Sequence, residues 1–281
     1  MAGGGCTIAA DNDDALGQGQ AAERGGPKLM PGEQEMDAIS EDAMLGGRVR
    51  LLQPRRGYRA GLDAALLAAA CDAPAGARVL EAGCGAGAVL LGAAALRPGA
   101  IFTGVERDAD AAALARRNVE LNGLADRVQV VEADVERPFR SLGLAPFDAV
   151  LTNPPFFDGE ASLRAPAPEK RGAWIAEAGF AAWAEFLTKA LREGGGLTLI
   201  HRADRLADIL AALSPKLGSF QIRPVHPYAE APAKRVLVRA VKTGRAPLKL
   251  LAPLVLHAKE GATWTPQADA ILKGQAPLGW E

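Results

Sequence analysis

The stretch VLEAGCGAGAVLLGAA, residues 79–94, places Gly83, Gly85 and Gly87 between an apolar run and an Ala/Leu-rich segment. The run Arg78–Ala82 is short and branched, which predicts a buried strand, and Ala88–Leu96 predicts a helix. Glycines between such elements let the chain turn tightly and let a ligand touch the backbone beside the free N–H groups of the helix start. A strand-turn-helix unit of this kind is typical of an α/β protein. The same spacing also matches the looser dinucleotide fingerprint, and such turns occur without any ligand.

Acidic residues at three successive strand ends favour one type of ligand. Glu81 stands just before the glycines, where a pyrophosphate would gain nothing from a carboxylate but a cationic amino-acid group would. Glu106 ends the next strand, with Arg107 beside it, and can accept hydrogen bonds from both hydroxyls of a ribose. After the third strand, Asp134 can accept from an adenine amine and Val135 can offer its N–H. Adenosine joined to a cation describes S-adenosylmethionine and does not describe NAD; the alternative is that these acids only cap helices.

The segment FDAVLTNPPFFDG, residues 147–159, ends a further strand abruptly. Phe147–Thr152 reads as a buried strand, and Pro154 and Pro155 cannot donate to a sheet ladder. The strand tip therefore holds the Asn153 amide, a stiff backbone and the Phe156 ring at the edge where open α/β sheets bind ligands. The structural alternative is that the prolines only terminate the strand and that the phenylalanines only pack in the core.

Strands and helices alternate along the rest of the chain, which predicts a mostly parallel sheet with helices on both faces. Gly194, Gly195 and Gly196 are expected to cap the helix Phe180–Arg192, and two late strands are expected to form a hairpin. The remaining expected elements are strands at 47–54, 101–106, 128–133, 197–201, 220–224, 235–241 and 254–257, with helices from about 62, at 109–121, at 205–213 and after Thr265-Pro266.

Composition is that of a globular protein, with 49% hydrophobic and 23% charged residues in 281. Residues 1–42 hold nine acids and two bases, a net charge of −7, whereas residues 43–281 hold 30 bases and 24 acids, a net charge of +6. We expect residues 1–40 to be a disordered acidic tail before one domain over 41–281 with a short C-terminal extension. The mildly basic body is compatible with a nucleic-acid partner.

Several protein classes fit the sequence poorly. No apolar run reaches the roughly 18 residues that a membrane span needs, and no secretory signal is visible. Three scattered cysteines argue against a disulfide framework and fit a reducing, cytoplasmic setting. No Cys/His spacing predicts a metal site, and the oligomeric state is left open.

The chain resembles the class I S-adenosylmethionine-dependent methyltransferases through Glu81-x-Gly83-x-Gly85-x-Gly87, Glu106, Asp134 and Asn153-Pro154-Pro155-Phe156. The resemblance implies a Rossmann-like, twisted, seven-stranded sheet with a C-terminal antiparallel hairpin, and S-adenosylmethionine as the cofactor. The Pro-Pro-aromatic tip is the mark of enzymes that methylate a planar nitrogen. Upstream LLQPRRGYRAGLDAALLAAA and downstream PAKRVLVRAVKTG resemble the bacterial adenine-N6 methyltransferases that modify a valine tRNA.

The resemblance implies a role for each group of residues. Asn153, Pro154, Pro155 and Phe156 would act on the target base. The residues that would hold the cofactor are Glu81, Gly83, Cys84, Gly85, Gly87, Glu106, Arg107, Asp134, Val135 and Asn153. Basic and aromatic residues that are candidates for contacts with tRNA are Arg56, Tyr58, Arg59, Lys170, Arg171, Lys234 and Arg235, although charge pairs of this kind are often only surface.

Alternative functions remain open from the sequence. A ribosomal-RNA guanine-N2 methyltransferase and a protein glutamine-N5 methyltransferase share the Pro-Pro tip, and a non-catalytic RNA-binding module would keep only the fold. We treat His201, His226 and His257 as structural, because none has a partner at catalytic spacing. The sequence does not tell which RNA or which nucleotide is modified.

Overall fold

The elements follow one another in the alternation that the sequence predicts. The computed structural model describes residues 39–56, 59–155, 179–259 and 263–281. The strands are β1 Ile39–Met44, β2 Val49–Pro54, β3 Arg78–Ala82, β4 Ile101–Glu106, β5 Val128–Glu132, β6 Phe147–Thr152, β7 Leu191–Arg202, β8 Leu217–His226, β9 Arg235–Lys242, β10 Lys249–Leu250 and β11 Leu254–Val255. The helices are α1 Leu62–Ala69, α2 Ala88–Leu96, α3 Ala109–Leu121, α4 Gly179–Ala190, α5 Leu206–Leu213 and α6 Pro266–Leu272.

The main sheet has the strand order β10-β8-β9-β7-β6-β3-β4-β5, with β11 also paired to β8. Strands β3 to β8 run parallel, and β9 lies antiparallel between β7 and β8. The predicted seven-stranded sheet and its C-terminal hairpin are therefore confirmed, and the two-residue strands β10 and β11 extend it. The chain runs outward in opposite directions from β3 and β6, so the topological switch point lies between them.

Helices cover both faces of the sheet, as predicted. One face packs against α1, α2 and α6 through residues such as Leu66, Leu90 and Ile271. The other face packs against α4 and α5 through Trp183 and Leu213. Both layers bury their apolar side chains almost completely, and this burial fixes the strand ends relative to one another.

The N-terminal hairpin shows where the predicted tail boundary needs correction. Strand β1 begins at Ile39, whereas the sequence predicts disorder through residue 40. The reason is pairing: β1 lies antiparallel to β2, from Ile39 opposite Pro54 to Met44 opposite Val49. A strand with weak apolar periodicity of its own is stabilised by its downstream partner. The rest of the predicted tail, residues 1–38, lies outside the described residues.

The three consecutive glycines do not cap a helix. Helix α4 ends at Ala190, and Gly194, Gly195 and Gly196 lie inside β7. The pairing of β6 with β7 shifts register between Phe147 and Ala149, which makes an irregularity at these glycines. Gly194 does take a positive φ of 72°, but it serves this bulge and not a helix end.

The C-terminal extension fastens α1 to β8. Thr265 caps α6 by accepting a hydrogen bond from the Ala268 N–H, as its Thr-Pro sequence predicts. The buried Trp280 donates its indole N–H to the Ala70 carbonyl at 3.0 Å, and Gln221 donates to the Trp280 carbonyl at 2.7 Å. The extension is thus part of the core.

Candidate active site

The glycine turn at the end of β3 has an open backbone. Gly83, Gly85 and Gly87 take φ values of 72°, 52° and 90°, a region that side-chain-bearing residues rarely adopt. A Cβ at position 83 would lie 2.6 Å from Cη2 of Trp183, so the indole of α4 closes one side of the turn. A Cβ at position 85 would meet nothing within 4 Å. The backbone at Gly85 is therefore accessible to a ligand.

Glu81 is a buried carboxyl with an unmet hydrogen-bonding capacity. Its side chain is 2% exposed, and Oε2 has no hydrogen-bond partner among the described residues. Burial raises the pKa of Glu81 well above its usual value, the Glu106 carboxylate adds to the rise, and the Leu90 N–H opposes it. Burial likewise raises the pKa of the Cys84 thiol, which suits a packing role. A cationic ligand group beside Glu81 would satisfy this carboxyl.

Glu106 connects the glycine turn to the end of β4. Its Oε2 accepts the Gly85 N–H at 2.8 Å, and its Oε1 accepts the Asp108 N–H at 2.9 Å. The half-buried carboxylate keeps further lone pairs for a ligand hydroxyl. The neighbouring Arg107 turns toward Glu136, at 3.5 Å. Glu106 thus shapes the turn as well as facing solvent, a role that sequence reasoning did not anticipate.

The third predicted acid, Asp134, follows β5 on the same edge of the sheet. Its Oδ1 accepts the Glu136 N–H at 2.9 Å, while Val135 is buried. Between the ends of β4 and β5 lies a cavity of about 490 Å³, lined by Glu106, Arg107, Asp108, Glu132, Ala133 and Asp134. The structure therefore brings Glu106 and Asp134 to one concave surface.

The Asn-Pro-Pro tip ends β6 on the other side of the glycine turn. Thr152 is opposite Ala82 in the ladder and donates its hydroxyl to the Ala82 carbonyl at 3.0 Å. Asn153 follows, half-buried, and Pro154 is buried. The His201 imidazole lies beside this tip and interacts with the Pro155 backbone, while burial lowers the pKa of His201. Phe156 lies outside the described residues.

The ends of four neighbouring strands thus form one row, which we name the carboxyl edge. In the sheet order β6-β3-β4-β5, the row runs from Asn153 through the glycine turn and Glu106 to Asp134. Three strand spacings of about 4.8 Å separate its ends, roughly 14 Å. The row crosses the switch point, where doubly wound sheets bind their ligands.

Asn118 supports this row although the sequence analysis did not single it out. It is fully buried in α3, where its Nδ2 donates to the Leu52 and Ala86 carbonyls at 2.8 and 2.9 Å. Its Oδ1 accepts the Leu52 N–H at 2.8 Å. Asn122, one turn later, makes the same pair of bonds to the Arg50 backbone. Two asparagines four apart in RRNVELNG were the available signal, since Asn is a poor helix former.

The basic residues predicted near the substrate differ in their partners. Arg56 and Lys234 are exposed, whereas Arg59 is held by Asp42 at 2.7 Å and Arg235 by Asp63 at 2.8 Å. Arg59 and Arg235 are thus partly committed to ion pairs. Tyr58, Lys170 and Arg171 lie outside the described residues.

A second cavity, of about 460 Å³, opens at the opposite edge of the sheet. The charged side chains that line it already pair with one another: Arg192 with Asp148, and Arg239 with Asp72. Among the described residues, no group of His, Cys, Asp and Glu could hold a metal ion. None of the described helices combines the length and apolar character that crossing a bilayer requires.

A doubly wound sheet with one antiparallel strand, β9, and a glycine turn at its switch point defines the fold of the class I methyltransferases. The model of the methyltransferase small domain matches residues 59–169. A solved structure described as a predicted O-methyltransferase from Agrobacterium tumefaciens superposes with a TM-score of 0.65 at 32% identity, over 76% of this chain and 97% of that one.

Curated relatives include methyltransferases that act on tRNA, on rRNA and on release factors. A tRNA1(Val) (adenine(37)-N6)-methyltransferase from Porphyromonas gingivalis is 33% identical over 64% of this chain and 72% of its own length. A release factor glutamine methyltransferase from Chlorobaculum tepidum is 32% identical over 62% of this chain. The chain spans 63% of the length of this release factor methyltransferase, and 34% and 33% of those from Gloeobacter violaceus and Geobacter sulfurreducens.

The chain belongs to the S-adenosylmethionine-dependent methyltransferases that carry the methyltransferase small domain. This confirms the family and the cofactor that the glycine turn and the acids predicted. The residues of the carboxyl edge suit that cofactor, because the buried Oε2 of Glu81 lacks a partner among the described residues and the backbone at Gly85 is open.

Proposed function

We propose that the protein transfers the methyl group of S-adenosylmethionine to the exocyclic N6 of an unpaired adenine in tRNA. The observation that carries this proposal is the Asn153-Pro154-Pro155 tip, which stands across the switch point from the glycine turn. By analogy with the Porphyromonas relative, the target is the adenine at position 37 of a valine tRNA.

The chain's own groups would hold the donor along the carboxyl edge. Glu81 would accept from the ammonium group, the open backbone at Gly85 would lie against the donor, and Glu106 would accept from the ribose hydroxyls. Asp134 would accept from the adenine amine of the cofactor, beside the N–H of Val135. When bound, S-adenosylmethionine supplies an electrophilic methyl group on a sulfonium.

The β6 tip would activate the target nitrogen. An exocyclic adenine nitrogen is a poor nucleophile, because its lone pair is delocalised into the ring. Its two N–H groups would donate hydrogen bonds to the Asn153 side-chain oxygen and the Pro154 carbonyl. These acceptors stabilise the positive charge that develops on the nitrogen as it attacks. Pro155 stiffens the loop, and His201 contacts its backbone from β7.

Positioning would account for much of the rate. Holding nitrogen and methyl in line can supply on the order of 7–11 kcal/mol of the barrier. The proton can leave after transfer, so no side chain has to act as a general base. Phe156 would offer a flat face to the base, worth about 1–3 kcal/mol.

A glutamine side-chain amide is the strongest competing substrate, because it also presents a planar nitrogen and the release factor enzymes are relatives. RNA is favoured by the net charge of +6 over residues 43–281 and by the larger share of the tRNA relative that the chain covers, 72% against 63%. Guanine-N2 in ribosomal RNA remains the third candidate. The intact glycine turn and Asn-Pro-Pro tip argue against a non-catalytic module.

The test is methyl transfer from labelled S-adenosylmethionine to bulk bacterial tRNA, followed by digestion to nucleosides. We expect label in N6-methyladenosine. In Asn153→Ala, turnover should fall about a hundredfold or more, the scale of losing one preorganised transition-state partner. The Kd for S-adenosylmethionine should change far less than turnover, because most of the cofactor contacts lie on other strands.

Asn153→Asp is the matched variant, since a carboxylate still accepts a hydrogen bond. Its turnover should lie between that of the wild type and that of Asn153→Ala. Normal turnover in Asn153→Ala would reduce the β6 tip to a strand terminator. Label in protein or in N2-methylguanosine would leave the family standing and remove the adenine assignment.

A further inference from the structure

Three aromatic rings pack together where β8 and β11 end, on the same side of the sheet as the carboxyl edge. The His257 imidazole stacks on the Trp264 indole, with ring centroids 4.3 Å apart and an angle of 24°. Tyr228 lies 5.8 Å from His257 at 41°, so His257 contacts both of the other rings. All three side chains are half-buried. We name Tyr228, His257 and Trp264 the rim aromatic cluster.

The backbone around the cluster is held by its own hydrogen bonds. The His226 Nδ1 bonds the Ala231 carbonyl at 2.6 Å, and the Ala231 N–H bonds the Tyr228 carbonyl at 3.1 Å. The His257 N–H donates to the Pro227 carbonyl at 2.9 Å. Within the described part of the chain, the Tyr228 hydroxyl makes no hydrogen bond. The rings are thus presented in a preorganised arrangement, which lowers the entropy lost on binding.

The cluster lies in line with the Asn153 tip. The strand order from the tip is β6, β7, β9, β8 and β11, so four spacings of about 4.8 Å, roughly 19 Å, separate the two ends. Between the two ends the hydrogen bonding of the strands is continuous. The Ala203 N–H donates to the Lys234 carbonyl, and the Lys234 N–H donates to the Val225 carbonyl.

Among the described residues, two lysines and one acid lie next to the cluster along the chain, while Glu260, between His257 and Trp264, lies outside the described residues. Lys234 and Lys259 are exposed and form no ion pair with another described residue. Glu230 is the exposed acid of the loop after β8. Aromatic faces beside lysines fit nucleobases and their phosphates, whereas a protein or membrane partner would be met by a broader aliphatic patch.

We propose that the rim aromatic cluster stacks on an unpaired nucleotide of the RNA substrate, a few nucleotides away from the adenine at Asn153. This inference rests on the proposed function, because it takes the substrate to be RNA. Single-stranded loops are recognised through unstacked bases on Tyr, Trp and His rings, and roughly 19 Å suits a loop that is bound at both ends.

The test compares Tyr228→Leu with Tyr228→Phe, which keeps the ring and loses only the hydroxyl. For methylation of bulk tRNA, Tyr228→Leu should raise KM by about tenfold or more. Its kcat at saturating tRNA, its Kd for S-adenosylmethionine and its Tm should match the wild type. Tyr228→Phe should behave as the wild type.

A second measurement uses the unaltered protein, in case the leucine variant folds poorly. Ultraviolet cross-linking to bulk tRNA should place nucleotide adducts on peptides that contain Tyr228 or Trp264. Unchanged KM in Tyr228→Leu, an equal loss in Tyr228→Phe, or adducts only on other peptides would each overturn the inference and leave adenine methylation intact. Absence of tRNA methylation by the wild type would overturn both.

Discussion

At the scale of single residues, Glu81 links folding to pH. In the folded protein without cofactor, burial raises the pKa of Glu81 well above its usual value of 4.5, so the folded protein holds this proton to a higher pH than the unfolded chain does. The unfolded chain loses that proton near pH 4.5. Unfolding therefore releases a proton, and the free energy of unfolding should fall as the pH rises from about 4.5 through the folded pKa.

The measurement is urea unfolding from pH 5 to 8 of the wild type and Glu81→Gln, without cofactor. We expect the wild type to lose stability with rising pH relative to the variant, which carries no proton to release at this position. Saturating S-adenosylmethionine should flatten the difference, since its ammonium group favours the carboxylate. Parallel curves for the two proteins would contradict the buried, protonated carboxyl.

At the scale of secondary structure, the Asn118 side chain connects α3 to β2, because it bonds both the N–H and the carbonyl of Leu52 as a neighbouring strand would. Asn118→Ala leaves the Leu52 N–H and two carbonyls, of Leu52 and Ala86, without their bonds. We expect a loss of about 3 kcal/mol in the free energy of unfolding, from three part-buried hydrogen bonds at roughly 1 kcal/mol each. The Kd for S-adenosylmethionine should also rise, because Ala86 belongs to the glycine turn.

Asn122→Ala is the natural control, since it removes the equivalent pair of bonds at a more exposed site away from the turn. Denaturant unfolding and calorimetry should show a smaller loss of stability and no change in cofactor affinity. Equal effects of the two substitutions on affinity would show that α3 does not act through Ala86.

Elements with strong local signals could be predicted from the sequence. Strand β3, helix α2 and strand β6 have the predicted bounds, because apolar runs met glycine or proline at their ends. Strand β1 could not be delimited, since its alternation is weak and its partner is remote in sequence. The position of the triple glycine in β7 likewise depends on a bulge opposite β6, which no local pattern encodes.

The candidate site divides in the same way. The acids and Asn153 stand at strand ends, so topology alone brings them together. The bonds from Glu106 to the turn, the Trp183 ring over Gly83 and the Asn118 bridge depend on side-chain packing between elements far apart in sequence. These three required the fold.

At the scale of the whole molecule, the position of β1 sets how much of the N-terminus can be removed. A chain that starts at Met36 should keep its Tm within a few degrees and its methyl transfer, because the sequence predicts no packed surface before β1. A chain that starts at Leu45 removes β1 and the Asp42 partner of Arg59 and Gln53. Its Tm should fall clearly in thermal unfolding; equal Tm values for the two would show that β1 is dispensable.

The bond between Trp280 and Ala70 also bears on how the protein is made. It joins residues 210 apart, so this contact on α1 cannot form until Trp280 has left the ribosome. Apolar surface on α1 is exposed during this interval, when partly folded chains are prone to associate. Because synthesis runs from the N-terminus, the contact between Trp280 and Ala70 forms only after the elements from α1 to α6 have been made.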